Sequence, residues 1–209
     1  MNRLSPAWLL LLLIPLLSAC VGGGALPEEH FYRLPSAVST PHFSSEKGTT
    51  IVVPRFKTAG LLNDRAIVYS DSRRPNGVAS YHYHRWQDPP GVLVRDHLVD
   101  FLRQSGRFAN AFAPTAGLQG DLRLLGRLLR FEQELRADRI DAVVEVEFTL
   151  LRNRQPLLGP KRYRFRHESE DRSLGATAEA MGIALSQLYG ELITDIDRSL
   201  PPQLGQATQ

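Results

Sequence analysis

The sequence has one cysteine in 209 residues. No disulfide can therefore form within the chain, and its stability must come from packing. It also lacks an apolar run long enough to cross a bilayer: the uncharged stretch from Trp8 to Ala19 is interrupted by Pro15 and followed at once by Gly22, Gly23 and Gly24, whereas a spanning helix needs about 20 apolar residues. Charge of one sign is scarce. Lys and Arg number 25 against 22 Asp and Glu, a net charge of +3, and the basic excess is mostly arginine spread along the chain. Nucleic-acid binding would want a concentrated basic face, so no nucleic-acid partner is expected. There is no Gly-x-Gly-x-x-Gly, no Walker loop and no Gly-x-Ser-x-Gly, and the "QSGRF" around Ser105 does not supply a nucleophile elbow. No cofactor is expected, and any ATPase must be another polypeptide.

What is present begins with Asn2 and Arg3, a short positive start before the apolar run, the layout of a secretory signal. Its end resembles a bacterial lipobox: Leu17, Ser18 and Ala19 before Cys20. In signals of that kind the cysteine sulfur receives a diacylglycerol, the segment before it is removed and the new amine is acylated. Cys20 is then an anchor and not a catalyst. The alternatives are an ordinary signal with an incidental cysteine, or a buried free thiol. Each buried methylene contributes about 0.8 kcal/mol, so two or three chains hold a protein firmly where one binds reversibly. Val21 stands where a sorting Asp would mark inner-membrane retention, which by resemblance to that rule implies a lipid-anchored protein of the outer membrane, facing the periplasm.

The expected organisation is a signal peptide over 1–19, a lipidated tether over 20–28, one domain over 29–200 and a disordered tail over 201–209. "FYRLP" (Phe31 to Pro35), "TTIVVPRF" (Thr49 to Phe56) and "RAIVYSD" (Arg65 to Asp71) read as strands. The Asn76-Gly77 pair favours a tight hairpin turn into a return strand over Val78 to Trp86. Asp88 before Pro89 and Pro90 reads as a helix cap, with Val94, Leu98, Phe101 and Leu102 on one face and Gly106 at the end. "GDLRLLGRLLRFEQE" satisfies parts of both periodicities and reads as a long strand, since Gly120 and Gly126 penalise a helix. "AVVEVEFTLL" alternates cleanly, and "KRYRFRH" answers it across a turn from Asn153 to Pro156. In that hairpin Glu147 should face Arg162 and Glu145 should face Arg164, with Val146 against Tyr163 and Val144 against Phe165 on the buried side. Ser173 caps a final helix along which Leu174, Met181, Leu185, Leu188, Leu192 and Ile196 recur, ending at Pro201 and Pro202. The fold class is α+β: an antiparallel sheet with two main helices packed on one face.

Residues that carry chemistry are few. His82 and His84 lie two apart and, on a strand, point the same way with Trp86, but no nearby cysteine or carboxylate cluster completes a metal site. No metal is expected. The arginines of "KRYRFRH" match phosphate in a two-pronged way, though cross-strand pairing with Glu145 and Glu147 accounts for them more simply.

The lipobox, "FYRLP", "IVVPRF", "RAIVY", "YHYHRWQDPPGVLVRDHLVDFLRQSGRF", "LRLLGRLLRFEQ", the "VEVEFTLL" hairpin and the alanine-rich closing helix together resemble the ABC-type transport auxiliary lipoproteins, the PqiC-like group. The stretch from Tyr81 to Pro90 is the most specific piece. The resemblance implies a subunit of a lipid-transport system. Its expected partners are a membrane-spanning MCE protein and its transporter complex, with ring-like homo-oligomers and a docking or sealing role that supports membrane integrity. It implies no enzyme and brings no catalytic residues. The alternative is a stand-alone envelope lipoprotein, either an assembly factor of the lipopolysaccharide-transport type or a small hydrolase.

Overall fold

The computed structural model describes residues 27–37, 49–115 and 118–200. The lipobox, Cys20, most of the expected tether and the tail lie outside them. Within them an eight-stranded mixed sheet carries two helices on one face, the α+β class read from the sequence.

The sheet is built around its longest strands. β1 is His30–Tyr32, β2 Thr50–Val52, β3 Ala66–Asp71 and β4 Val78–Trp86; the helix α1 (Pro90–Gln104) follows, then β5 (Asn110–Phe112), β6 (Leu122–Leu135), β7 (Ile140–Arg152), β8 (Gln155–Glu168) and the helix α2 (Leu174–Ser199). β6, β7 and β8 form an antiparallel meander. The other edge of β6 is shared: β2 pairs with its start and β3 with its end, both parallel, and a bridge from Lys57 to Arg127 lies between them. β1 joins β4, and β5 joins β2, also parallel. The purely antiparallel expectation is corrected here. Parallel pairs need crossovers of a dozen or more residues, and the chain between β2 and β6 supplies one that contains α1.

The β7–β8 hairpin has the register read from the sequence, with Glu147 opposite Arg162, Glu145 opposite Arg164, Val146 opposite Tyr163 and Val144 opposite Phe165. Asn153 and Arg154 both have positive φ (50° and 68°), the conformation of a two-residue type I′ turn that matches strand twist. Phe165, read as lying on the buried side, is half-buried and packs against the core.

Three local expectations change. The Asn76-Gly77 pair does not form a two-residue turn: β3 and β4 are joined by residues 72–77, with Asn76 at φ 64° and the Gly77 amide donating to the Arg74 carbonyl. Asp88 does not cap α1. Pro89 occupies that position without a side-chain cap, and Pro90 starts the helix, where its missing N–H costs nothing. In β4 the pairing with β3 slips between Ala66 and Val68, which breaks the alternation that put His82 and His84 together.

Gly106, at φ 66°, follows α1 as expected. The Ser173 hydroxyl accepts the Ala176 amide at 3.1 Å and caps α2. Met181, Leu185, Leu188, Leu192 and Ile196 are then buried against β7 and β8, each contributing about 1.5–3 kcal/mol. Tyr189 ties the two helices together: its buried hydroxyl donates to the Val94 carbonyl at 3.1 Å and its ring meets Phe101 edge-on. Close approach fixes the remaining contacts. A Cβ on Gly182 would lie 2.4 Å from Pro35, which straps the chain after β1 over α2.

Candidate functional site

Strand alternation gives the sheet two different faces. Val144, Val146, Phe148, Leu150 and Tyr163 point to the helices and are buried; the glutamates and arginines between them point away and form a charged face on which, among the described residues, neither α1 nor α2 packs. Across β6, β7 and β8 this outer face is an ion-pair lattice. Arg162 reaches Glu147 at 3.1 Å, Arg127 reaches Glu147 at 3.7 Å and Arg164 reaches Glu145 at 3.9 Å. At the far end Glu134 accepts from Arg136 at 2.7 Å and Arg166 at 2.9 Å. Asp141, whose side chain is only 2% exposed, lies between Arg136 at 2.9 Å and Arg139 at 3.2 Å. Arg130 binds Glu132, which also accepts from the Ser70 hydroxyl at 3.0 Å.

Burial pushes the Glu134 carboxyl up, but the guanidinium groups of Arg166, Arg136 and Arg130 outweigh it and leave it below the ordinary glutamate range. A carboxylate held ionised in this way accepts hydrogen bonds and is a poor proton donor. Beside the lattice a groove of about 630 Å³ opens between a short 3-10 turn (Gly60–Asn63), the 72–77 connection and the middle of β6. Val68 and Leu62 lie at its bottom, Leu129 in its wall, and Leu61 (44% exposed) and Val78 (53%) at its mouth.

The residues singled out in the sequence fall elsewhere. Cys20 and the lipobox residues Leu17, Ser18 and Ala19 are outside the described residues. His84 stacks on His30 at 5.1 Å, its Nδ1 is 3.0 Å from the Tyr32 hydroxyl, and it faces the core side; His82 is exposed beside Tyr83. Ser105 is buried at the end of α1, its hydroxyl donating to the Leu102 carbonyl at 2.7 Å and accepting the Arg107 amide at 3.2 Å, a structural position. Glu145 and Glu147 pair with the arginines expected of them.

Sequence reasoning missed two things. One is the groove, whose walls come from three separated segments. The other is His97 on α1, buried against Tyr189, where loss of solvation pulls its imidazole down to about 4 despite Asp100 and the Pro35 backbone.

Comparison with known proteins bears on the whole domain. The family model of the ABC-type transport auxiliary lipoprotein component matches residues 32–192. Among solved structures, protein XCC0632 from Xanthomonas campestris, of the DUF330 family, superposes with a TM-score of 0.70 at 19% identity, over 81% of this chain and 96% of that one. A second, uncharacterized protein gives 0.63 at 15% identity, over 81% and 99%. Identities this low speak for the fold alone. No curated protein matches the chain.

Proposed function

Because this chain belongs to the ABC-type transport auxiliary lipoprotein family, we propose that it is the periplasm-facing, non-catalytic lipoprotein subunit of an MCE-type lipid-transport system. It is anchored by lipid on Cys20 to the outer membrane and docks or seals the transport conduit there. The observation that carries this reading is the family match over residues 32–192, nearly all of the folded domain.

The sheet edges support a docking role. β8 runs for 14 residues with β7 on one side and no strand on the other among the described residues, and such an edge is a template for another chain. Arg162, Arg164 and Arg166 lie along it, so two copies of β8 set side by side would bring like charges together. The outer strand at the opposite end of the sheet, β1, follows Glu28 and Glu29. Joining the β8 of one copy to the β1 of the next is head-to-tail and avoids that clash, the kind of contact that closes rings. A pull-down from solubilised membranes tests the reading: the MCE protein and other copies of this chain should co-purify, without dependence on nucleotide or metal. A monomer that leaves the MCE protein behind refutes it.

A further inference from the structure

The groove on the outer face has a use that the transport reading does not require. We propose that it binds an anionic amphiphile, with the acyl chain laid over Leu61, Leu62, Val68 and Leu129 and the head group on Arg74.

The apolar half of the argument is exposure. Leu61 and Val78 present side chains to water at the mouth of a groove whose bottom is already apolar, and its volume is of the size that holds a small ligand. Covering these side chains is favourable in proportion to the area removed from water.

Charge selects the head group. Each carboxylate at the rim already has its arginine. Asp71 is gripped by Arg73 through Nε at 3.0 Å and Nη2 at 2.8 Å, which, with the Arg73 amide, holds its carboxyl down to about 2. Glu132 is bound by Arg130 and Ser70, and Glu134 by Arg136 and Arg166. Arg74, which also lines the groove, makes no ion pair within 4 Å among the described residues, although its charge acts on Asp71 from farther away. A carboxylate or phosphate thus finds an arginine held in no close ion pair, while a cationic head finds each acid at the rim already paired.

An acyl chain also fits better than a polypeptide. The backbone of β3 is hydrogen-bonded on one side to β4 and on the other to β6. A peptide laid across it would find no strand edge for its own amides, and an unpaired amide removed from water is costly. An acyl chain has no such groups.

The test is photo-crosslinking of the full-length protein in its native membranes, with a benzophenone amino acid at position 61 and, as control, at Leu118, which is exposed outside the groove. Position 61 should yield lipid adducts that position 118 does not, and Arg74→Glu should lower their yield about tenfold, the effect of losing one charge-assisted hydrogen bond. Adduct masses separate a phospholipid from a free fatty acid, and either supports the proposal. Equal labelling at both positions, adducts indifferent to Arg74→Glu, or polypeptide adducts alone would overturn it. The readout needs no transport partner, so its failure and that of the pull-down are distinguishable.

Discussion

Replacing Gly126 by Ala should destabilise the domain even though the new residue suits a strand better than the old one. Gly126 lies inside β6 and its φ is not positive, so no backbone constraint demands glycine. Space does: an added Cβ would sit 2.5 Å from both Cδ1 and Cε1 of Phe56 and 2.7 Å from its Cγ. Phe56 cannot swing clear, because it is 2% exposed and stands edge-on to Phe148 at 5.5 Å. Its backbone is held on both sides, by the Phe56 amide on the Gly91 carbonyl at 3.0 Å and the Lys57 amide on the Gly126 carbonyl at 2.9 Å. Overpacking of this kind costs about 1–3 kcal/mol, against a gain of about 0.4–1 kcal/mol from the stiffer unfolded chain. The net loss, up to about 2.5 kcal/mol, should lower the Tm by up to roughly 10 °C for a domain of this size. Gly159→Ala is the internal control, since nothing lies within 4 Å of its added Cβ, and it should be neutral or slightly stabilising. Combining Gly126→Ala with Phe56→Leu should cost less than the sum of the two. Thermal melts in which Gly126→Ala behaves like Gly159→Ala, or adds fully to Phe56→Leu, would refute the packing argument.

Cys20→Ala should abolish incorporation of a palmitate analogue in growing cells; label on the variant would remove the anchor assignment. In the β7–β8 hairpin, Glu145→Ala should cost about 1 kcal/mol or less in urea melts, since its pair with a half-exposed Arg164 is long at 3.9 Å. Phe148→Ala, fully buried, should cost about 3–5 kcal/mol, with Phe165→Ala between the two; equal losses for all three would mean the faces are wrongly assigned. Stability should also fall between pH 6.5 and about 4 because of His97. Its folded imidazole is depressed, so the unfolded state takes up the proton first and the contribution present above pH 6.5 is lost on acidification, by about 3 kcal/mol. His97→Leu should flatten that part of the pH–stability curve, and an unchanged slope would clear His97 of the effect.

Local patterns were legible where strand period and charge agreed. The β7–β8 register follows from residues two apart that alternate between apolar and charged, with glutamates on one strand and arginines on the other, so a slip by one residue would bury charge. The closing helix follows from an apolar repeat with a serine at its start. Features fixed over longer distances were not legible. The parallel pairings of β6 with β2 and β3 join segments separated by a helix, and no neighbouring residues record them. Asp88 has the chemistry of a cap, but the prolines after it set the chain direction and remove amides that a cap would serve. The histidines of β4 look paired only if the strand alternates throughout, and it does not.

The ambiguity in "LRLLGRLLRFEQE" has a structural cause. Leu122, Leu124, Gly126 and Leu128 are buried, and the next buried positions are Phe131, Glu132 and Gln133, of which Glu132 is held by Ser70 and Arg130 and Gln133 bonds Thr177 of α2, so the alternation changes phase. The pairing of β6 with β7 shifts between Leu128 and Arg130, with Leu129 as the extra residue, as in a β-bulge. Read as a regular strand the segment loses its period halfway, and leucines three and four apart imitate a helix. The same bulge lets consecutive residues, Leu129 and Arg130, both line the groove on the outer face, where strict alternation would send one of them to the core. An apolar side chain is thereby set directly beside the ion-pair lattice. The irregularity that hides the strand in the sequence is also what makes the groove amphipathic, which is why sequence patterns that rely on regular spacing pass over both.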